Sequence, residues 1–269
     1  MVELFERNEY AADRHSSKGN QLKWETGGIW YKADRNGYEG LAEYVVSHLL
    51  RYSNLPRDTF ALYDTEQIRY KNHIYAGVRS ESFLEPGWQI ITLERLFMHF
   101  CGRSLNRDIW QLRSCAARLD YIVKQTERIT GLRDFGAYFE KLMTIDAFFL
   151  NEDRHTHNIA VLMNGESAFR LCPIFDNGAA LLSDTEMDHP IEEDVFSLMR
   201  TVRAKTISRD FDEQLETAEA AYGIQLRFTF THEDVERVLA AADGYTDREK
   251  QRVKTVIFEQ MRKYCYLFG

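Results

Sequence analysis

Asp153 stands five positions before Asn158 in the polar run Leu150-Asn151-Glu152-Asp153-Arg154-His155-Thr156-His157-Asn158, and a second acid, Asp176, follows in Pro173-Ile174-Phe175-Asp176-Asn177-Gly178. Between them Asn164-Gly165 separates two β-prone runs, residues 159–163 and 168–171, which signals an antiparallel hairpin. The hairpin is expected to return Asn158 and Asp176 to one end, with Asp153 in the loop above them. Three oxygen-bearing side chains gathered this way suit magnesium, which prefers oxygen ligands and keeps waters and phosphates in its shell. One acid beside an attacking hydroxyl, with an amide and another acid on the metal, is an arrangement for phosphoryl transfer. Asp and Asn also stabilise ordinary turns, so each residue alone has a plainer explanation. A rival chemistry makes Asp153, His155, His157 and Asp176 ligands of zinc or iron in a metal-dependent phosphohydrolase. It ranks lower because it leaves Asn158, Lys32 and the loop at Gly19 without a role, and His155 is better read as a residue bonding within its own loop.

Phosphoryl transfer needs a second set of groups that hold nucleotide phosphates. Residues 16–21, Ser16-Ser17-Lys18-Gly19-Asn20-Gln21, form a small, polar stretch leading to Lys23, and Gly19 lets backbone N–H groups approach phosphate oxygens. The plainer reading is a β-hairpin turning at Gly27-Gly28. Lys32 lies in a β-forming run, 29–33, and Gly37-Tyr38-Glu39-Gly40 opens a helix with Leu41, Ala42, Val45, Val46, Leu49 and Leu50 on one stripe. Glu43 sits beside that stripe. A strand lysine followed by a helix glutamate is the layout of an ion pair that aims an ammonium at nucleotide phosphates. For Glu43 a surface carboxylate on an amphipathic helix remains an equal alternative.

Extended runs at 59–63, 68–70 and 74–78 are expected to continue an antiparallel sheet, and Pro86-Gly87 marks a turn into a different pattern. Helical periodicity then covers 92–101, 106–130 and 135–149, the last rich in aromatic residues suited to a core, with Asp146 as a local hydrogen-bond acceptor. Helices at 196–203, 211–222, 232–242 and 247–266 close the chain, with Thr231 as an N-cap. The tract 184–194 carries six acids and no Lys or Arg. It reads as a solvated loop whose charge would favour a basic partner.

At 269 residues the chain is long for one core, and the pattern change predicts an α+β protein of two lobes. A small β-rich N-lobe with one helix takes residues 1–83. A larger, mainly helical C-lobe takes 84–269, including the loop 150–158 and the motif 173–178. The net charge of −8 disfavours a nucleic-acid-binding face, and no run approaches the ~18 apolar residues of a membrane helix. The N-terminus lacks the pattern of a signal peptide, so a cytoplasmic protein is expected. The four cysteines, without C-x-x-C spacing, read as buried free thiols.

The run Asn151-x-Asp153-Arg154-His155-x-x-Asn158, followed by Pro173-Ile-Phe-Asp176-Asn-Gly, resembles the C-terminal domain of the HipA-type serine/threonine kinases. The family's fold is a distant relative of the protein and phosphoinositide kinases. Ser16-x-x-Gly19-Asn20-Gln21-x-Lys23 is similar to the family's phosphate loop, Lys32 to its nucleotide lysine, and Glu43 to the acid of the following helix. Ala204-Lys205-Thr206-Ile207-Ser208 is similar to a basic segment that the family carries after its metal motif. The resemblance spans residues 16 to about 225. It implies a two-lobed protein-kinase-like fold and an enzyme using ATP and magnesium. In it Asp153 is the base or orienting acid, Asn158 and Asp176 hold magnesium, Lys32 takes the α- and β-phosphates, and Glu43 is the helix acid whose ion pair aims the Lys32 ammonium. Ser16, Ser17, Lys18, Gly19, Asn20, Gln21 and Lys23 would cradle the nucleotide.

The acceptor implied is a protein serine or threonine, with autophosphorylation at Ser16 as a further expectation that would place charge where the nucleotide belongs. A small-molecule or phosphoinositide-type kinase, and a nucleotide-binding module without catalysis, are the alternatives. The chain is expected to lack the extra N-terminal subdomain of the longer toxins. An antitoxin-type partner is left open by the resemblance and supported by no residue.

Overall fold

The structure is a computed structural model, and it describes residues 1–4, 21–165 and 167–269. In chain order its strands and helices are β1 (Val2–Glu3), β2 (Lys23–Thr26), β3 (Ile29–Ala33), α1 (Glu39–Leu50), β4 (Asp64–Tyr70), β5 (His73–Glu81) and β6 (Gln89–Thr92). There follow α2 (Leu93–Cys101), α3 (Leu105–Trp110), α4 (Cys115–Thr130), α5 (Phe135–Phe149), β7 (Ala160–Asn164), β8 (Ala168–Leu171), α6 (Val195–Thr201), α7 (Phe211–Tyr222), α8 (His232–Ala241) and α9 (Asp247–Lys263).

These elements form two compact units. Met1–Phe83, Phe175–Val202 and Phe228–Gly269 make the first, and Leu84–Ile174 with Arg203–Arg227 make the second. The grouping differs from the consecutive lobes expected from the sequence, because α8 packs on α1 and α9. Arg252 of α9 also ties down the tract after the second acidic motif by donating to the carbonyls of His189 and Pro190, each at 2.6 Å.

The first unit is built on a five-stranded sheet of order β1-β4-β5-β3-β2. Gly27 and Gly28 turn the β2–β3 hairpin at φ of 62° and 78°, the left-handed values that a two-residue turn requires. Trp24, Tyr31, Ile68 and Tyr70 pack with Leu4 on one face. Side chains alternate along a strand, so Lys23 and Lys32 project from the other face. There α1 lies against β4 and β5. Gly77 pairs with Ala33, and a Cβ on it would meet the Lys32 carbonyl oxygen at 2.2 Å, so only glycine allows this approach.

Residues expected as a strand at 59–63 are not one: Arg57–Thr59 form a 3₁₀ turn after Pro56, and the Tyr63 N–H donates to Ser47 Oγ at 3.1 Å. In the acidic tract Asp184 is buried and accepts the Met187 N–H at 3.0 Å, Asp194 caps α6 through the Ser197 N–H at 2.8 Å, and Glu192 pairs with Arg248. The tract is thus folded by its own acids more than the solvated-loop reading allowed.

In the second unit the sheet β6-β7-β8 is antiparallel, and α5 is buried along its length with α4 and α7 against it. The helix expected over 106–130 is broken in two, because Ser114 caps a fresh start at α4 by accepting the Ala117 N–H at 3.2 Å. The β7–β8 hairpin forms as expected, with Asn164 paired to Ala168 at the end of β7 and Gly165 at φ 63° just after it. Thr231 begins α8 with a full capping box. Cys115 and Cys172 are buried as expected, whereas Cys265 is exposed and Cys101 only partly covered. Among the described residues no helix is long and apolar enough to cross a membrane.

Candidate active site

The residues singled out from the sequence fall into two groups, one in each unit. The first gathers on the α1 side of the five-stranded sheet. Lys23 and Lys32 are direct cross-strand partners. Two like charges so placed repel one another unless an anion lies between them. Asp176 supplies it: its Oδ1 is 2.8 Å from Lys32 Nζ and 3.6 Å from Lys23 Nζ. Lys32 also donates to Glu43 Oε1, and Glu43 Oε2 accepts the Asn177 N–H at 2.8 Å, which fixes the chain directly after Asp176. Asp176 has φ 62°, a left-handed conformation that Asp tolerates better than most residues.

Glu43 is fully buried, because α1 is covered on both sides. One face meets the sheet, and the other meets α8 and the segment after Asp176, where Tyr38 Oη donates to the Leu181 carbonyl at 2.8 Å. Burial works against the Lys32 charge, yet Asp176 and Glu43 outweigh it and hold the ammonium well above the usual lysine value. The Tyr63 ring lies 5.0 Å from Lys32 Nζ, and burial first, then the Glu43 charge, raises the Tyr63 phenol so that it stays neutral. Ser16, Ser17, Lys18, Gly19 and Asn20 lie outside the described residues. Gln21 lies just before β2 with a buried amide nitrogen that has no hydrogen-bond partner among the described residues.

The second group is the loop between α5 and β7. Asp146, in the last turn of α5, accepts from Arg154 Nε at 3.1 and 3.2 Å and from Asn151 Nδ2 at 3.0 Å. Burial pushes its carboxyl up to about 6, with Arg154 and Asn151 pulling the other way. Arg154 Nη1 donates to the Asn158 carbonyl at 3.2 Å. Thr156 Oγ1 donates to the buried Glu94 at 2.9 Å. A short polar loop is thereby anchored at three points.

Held this way, Asp153 is largely buried and accepts from Asn158 Nδ2 at 3.2 Å through Oδ2. Its Oδ1 lies 3.6 Å from Lys205 Nζ and 3.7 Å from His155 Nε2. His155 Nδ1 accepts the His157 N–H at 3.2 Å, so both ring nitrogens face partners within the loop. That use agrees with a structural role for His155 and leaves no lone pair for the zinc or iron of the rival reading. Burial lowers the His155 pKa despite Asp153, which keeps the ring neutral.

The Asn158 amide suits a cation. Its Nδ2 is committed to Asp153, to the carbonyl at 2.7 Å and to the carboxylate, which leaves Oδ1 as the atom a ligand could use. That oxygen accepts no hydrogen bond from the described residues, and an amide oxygen is a ligand magnesium takes readily. Asp176 offers the carboxylate that magnesium also favours, balanced here by two ammonium groups.

Sequence reasoning passed over Tyr63 and gave Asp146 only a local role. The spacing of Asp146 to Arg154 across a helix end was a usable signal for their pairing. Lys205 carried no signal of contact with Asp153, since a different segment delivers it.

The fold is that of the HipA-type kinases, a mixed arrangement of a curled sheet and a helical remainder. Two solved structures show it. The crystal structure of the Helicobacter pylori proinflammatory kinase CtkA aligns with a TM-score of 0.64 at 15% identity, covering 97% of this chain and 95% of that one. HipA of Shewanella oneidensis MR-1, solved in a toxin–antitoxin complex with HipB and operator DNA, aligns with a TM-score of 0.50 at 14% identity. That alignment covers 94% of this chain and 66% of that one. No family model matches the sequence, and no curated protein matches it.

Proposed function

We propose that this protein is an ATP- and magnesium-dependent kinase that transfers the γ-phosphoryl group to a hydroxyl, on protein serine or threonine before other acceptors. The observation that carries the reading is the Lys32 ammonium enclosed between Glu43 and Asp176 on a kinase-like fold. Burying ions is costly, and a buried ion pair adds little to stability over well-packed apolar residues. A lysine kept there at that cost is best explained by phosphates that it binds. Lys32, with Lys23 beside it, takes the α- and β-phosphates, and Glu43 holds the Lys32 side chain in place. Asp153 orients the acceptor hydroxyl and takes its proton, with Asn158 fixing the carboxylate. Asn158 and Asp176 would hold magnesium, and the ion would supply charge neutralisation on the phosphates.

Labelled ATP with the wild-type chain and with Asp153→Ala, offered first a cell lysate and then a metabolite pool, tests this. Label on protein with wild type and none with the variant is expected. Label only on small molecules would move the acceptor class. Nucleotide binding without transfer to either would make the chain a binding module.

A further inference from the structure

The segment 204–208 is fixed on both sides of Lys205. Ala204, Thr206, Ile207 and Ser208 are all buried, while the Lys205 side chain is 38% exposed. The Ala204 N–H donates to the Arg209 carbonyl at 3.1 Å, Thr206 Oγ1 donates to the Arg154 carbonyl, and Arg118 Nη1 donates to the Ile207 carbonyl at 2.9 Å. The segment is therefore bonded through the Thr206 side chain to the loop that carries Asp153 and, through Arg118, to α4. Lys205 is the one side chain of the run aimed outward, and its ammonium reaches Asp153.

A structural role explains this poorly. The loop is already held by Asp146 to Arg154 and by Thr156 to Glu94, and Asp153 already accepts from Asn158. A partly exposed ion pair adds little to stability. At 3.6 Å the pair is also longer than a hydrogen bond, so the ammonium donors are not committed to the carboxylate.

We propose that Lys205 binds the phosphoryl group in transit, a role that rests on the kinase reading above. In that step the acceptor oxygen forms a bond to the γ-phosphorus as the bond from phosphorus to the β,γ-bridging oxygen breaks. The hydroxyl proton passes to Asp153, and ADP leaves with the electron pair. The phosphoryl oxygens carry their charge next to the attacking oxygen, hence next to Asp153, and a cation fixed there offsets it without reorganising. Lys205 also screens Asp153 from that charge.

The test compares the full chain with Lys205→Met, Lys205→Arg and Asp153→Asn. Turnover, ADP affinity with and without aluminium fluoride as a planar phosphoryl mimic, and the melting temperature are measured. Lys205→Met should melt with the wild type and bind ADP within about twofold. It should lose about 10²-fold in kcat and the tighter binding that the mimic gives wild type, and Lys205→Arg should recover part of both. Should Lys205→Met melt early, the charge-keeping Lys205→Arg decides: a normal melt with part or all of the tightening kept supports the phosphoryl contact, and a normal melt with no tightening would overturn it. Wild-type turnover and tightening retained in Lys205→Met would overturn the proposal while leaving the kinase reading standing. Absence of turnover and tightening in wild type itself, matched by Asp153→Asn, would overturn both.

Discussion

Asp146 and Arg154, eight positions apart and both inaccessible to solvent, join the end of α5 to the loop that carries Asp153. Removing one partner leaves a buried charge. Asp146→Ala should therefore cost ~3–5 kcal/mol, read as a lowered urea midpoint with an unchanged slope. A variant within ~0.5 kcal/mol of wild type would show that the pair does not anchor the loop.

Lys32 and Glu43 separate stability from function. Lys32→Met leaves Glu43 buried without its cation and should destabilise by ~3 kcal/mol. Adding Glu43→Gln removes the stranded charge while an amide oxygen can still accept the Asn177 N–H. The double variant should recover most of the melting temperature and still fail to bind ATP in calorimetry. Recovery of binding together with stability would remove Lys32 from the nucleotide site.

Asp176 is partly exposed, at 23% of its side chain, so Asp176→Asn should change the melting temperature little. Its loss should show in turnover, by about 10²–10³-fold, and in the magnesium concentration needed for half-maximal rate. Asn158→Ala should raise the same concentration. An unchanged magnesium profile in both would take these residues off the metal.

Stability should depend on pH through Asp34, which accepts from Tyr245 Oη at 2.8 Å and from the Gly40 N–H at 2.6 Å. Burial first, and the Glu39 charge second, raise its carboxyl from 3.8 to about 8. Between those values the folded chain keeps a proton that the unfolded chain has released. The contribution is then complete below about pH 4 and is lost as pH rises through about 8. Asp34→Asn does not titrate, so its stability relative to wild type should grow from about pH 5 to pH 8, by up to ~1.4 kcal/mol per unit. A difference that stays constant with pH would show that Asp34 is ionised in the fold.

Most of the elements were legible because each depends on near neighbours. The hairpin at Gly27-Gly28 follows from two residues that accept positive φ, α5 from its own periodicity, and α8 from its cap at Thr231. The strand expected at 59–63 failed for the converse reason: its β-forming side chains could be read, while the backbone partners they would need belong to other segments. The break at Ser114 was missed because a cap inside a periodic run looks like one more polar position.

The sequence by itself determined which residues could do the chemistry. Asp153 and Asn158 lie close enough along the chain for one loop to join them, and Lys32 and Glu43 are separated by a single turn into a helix. Tertiary structure alone decided their electrostatics. Glu43 could have faced water until α8 and the residues after Asp176 covered α1, and only that burial makes its pairing with Lys32 strong. Lys205 reaches Asp153 because hydrogen bonds from Thr206 and Arg118 hold its segment in place. Contacts between residues distant in sequence depend on packing, and hydrophobic patterning constrains which faces are buried without naming what will cover them.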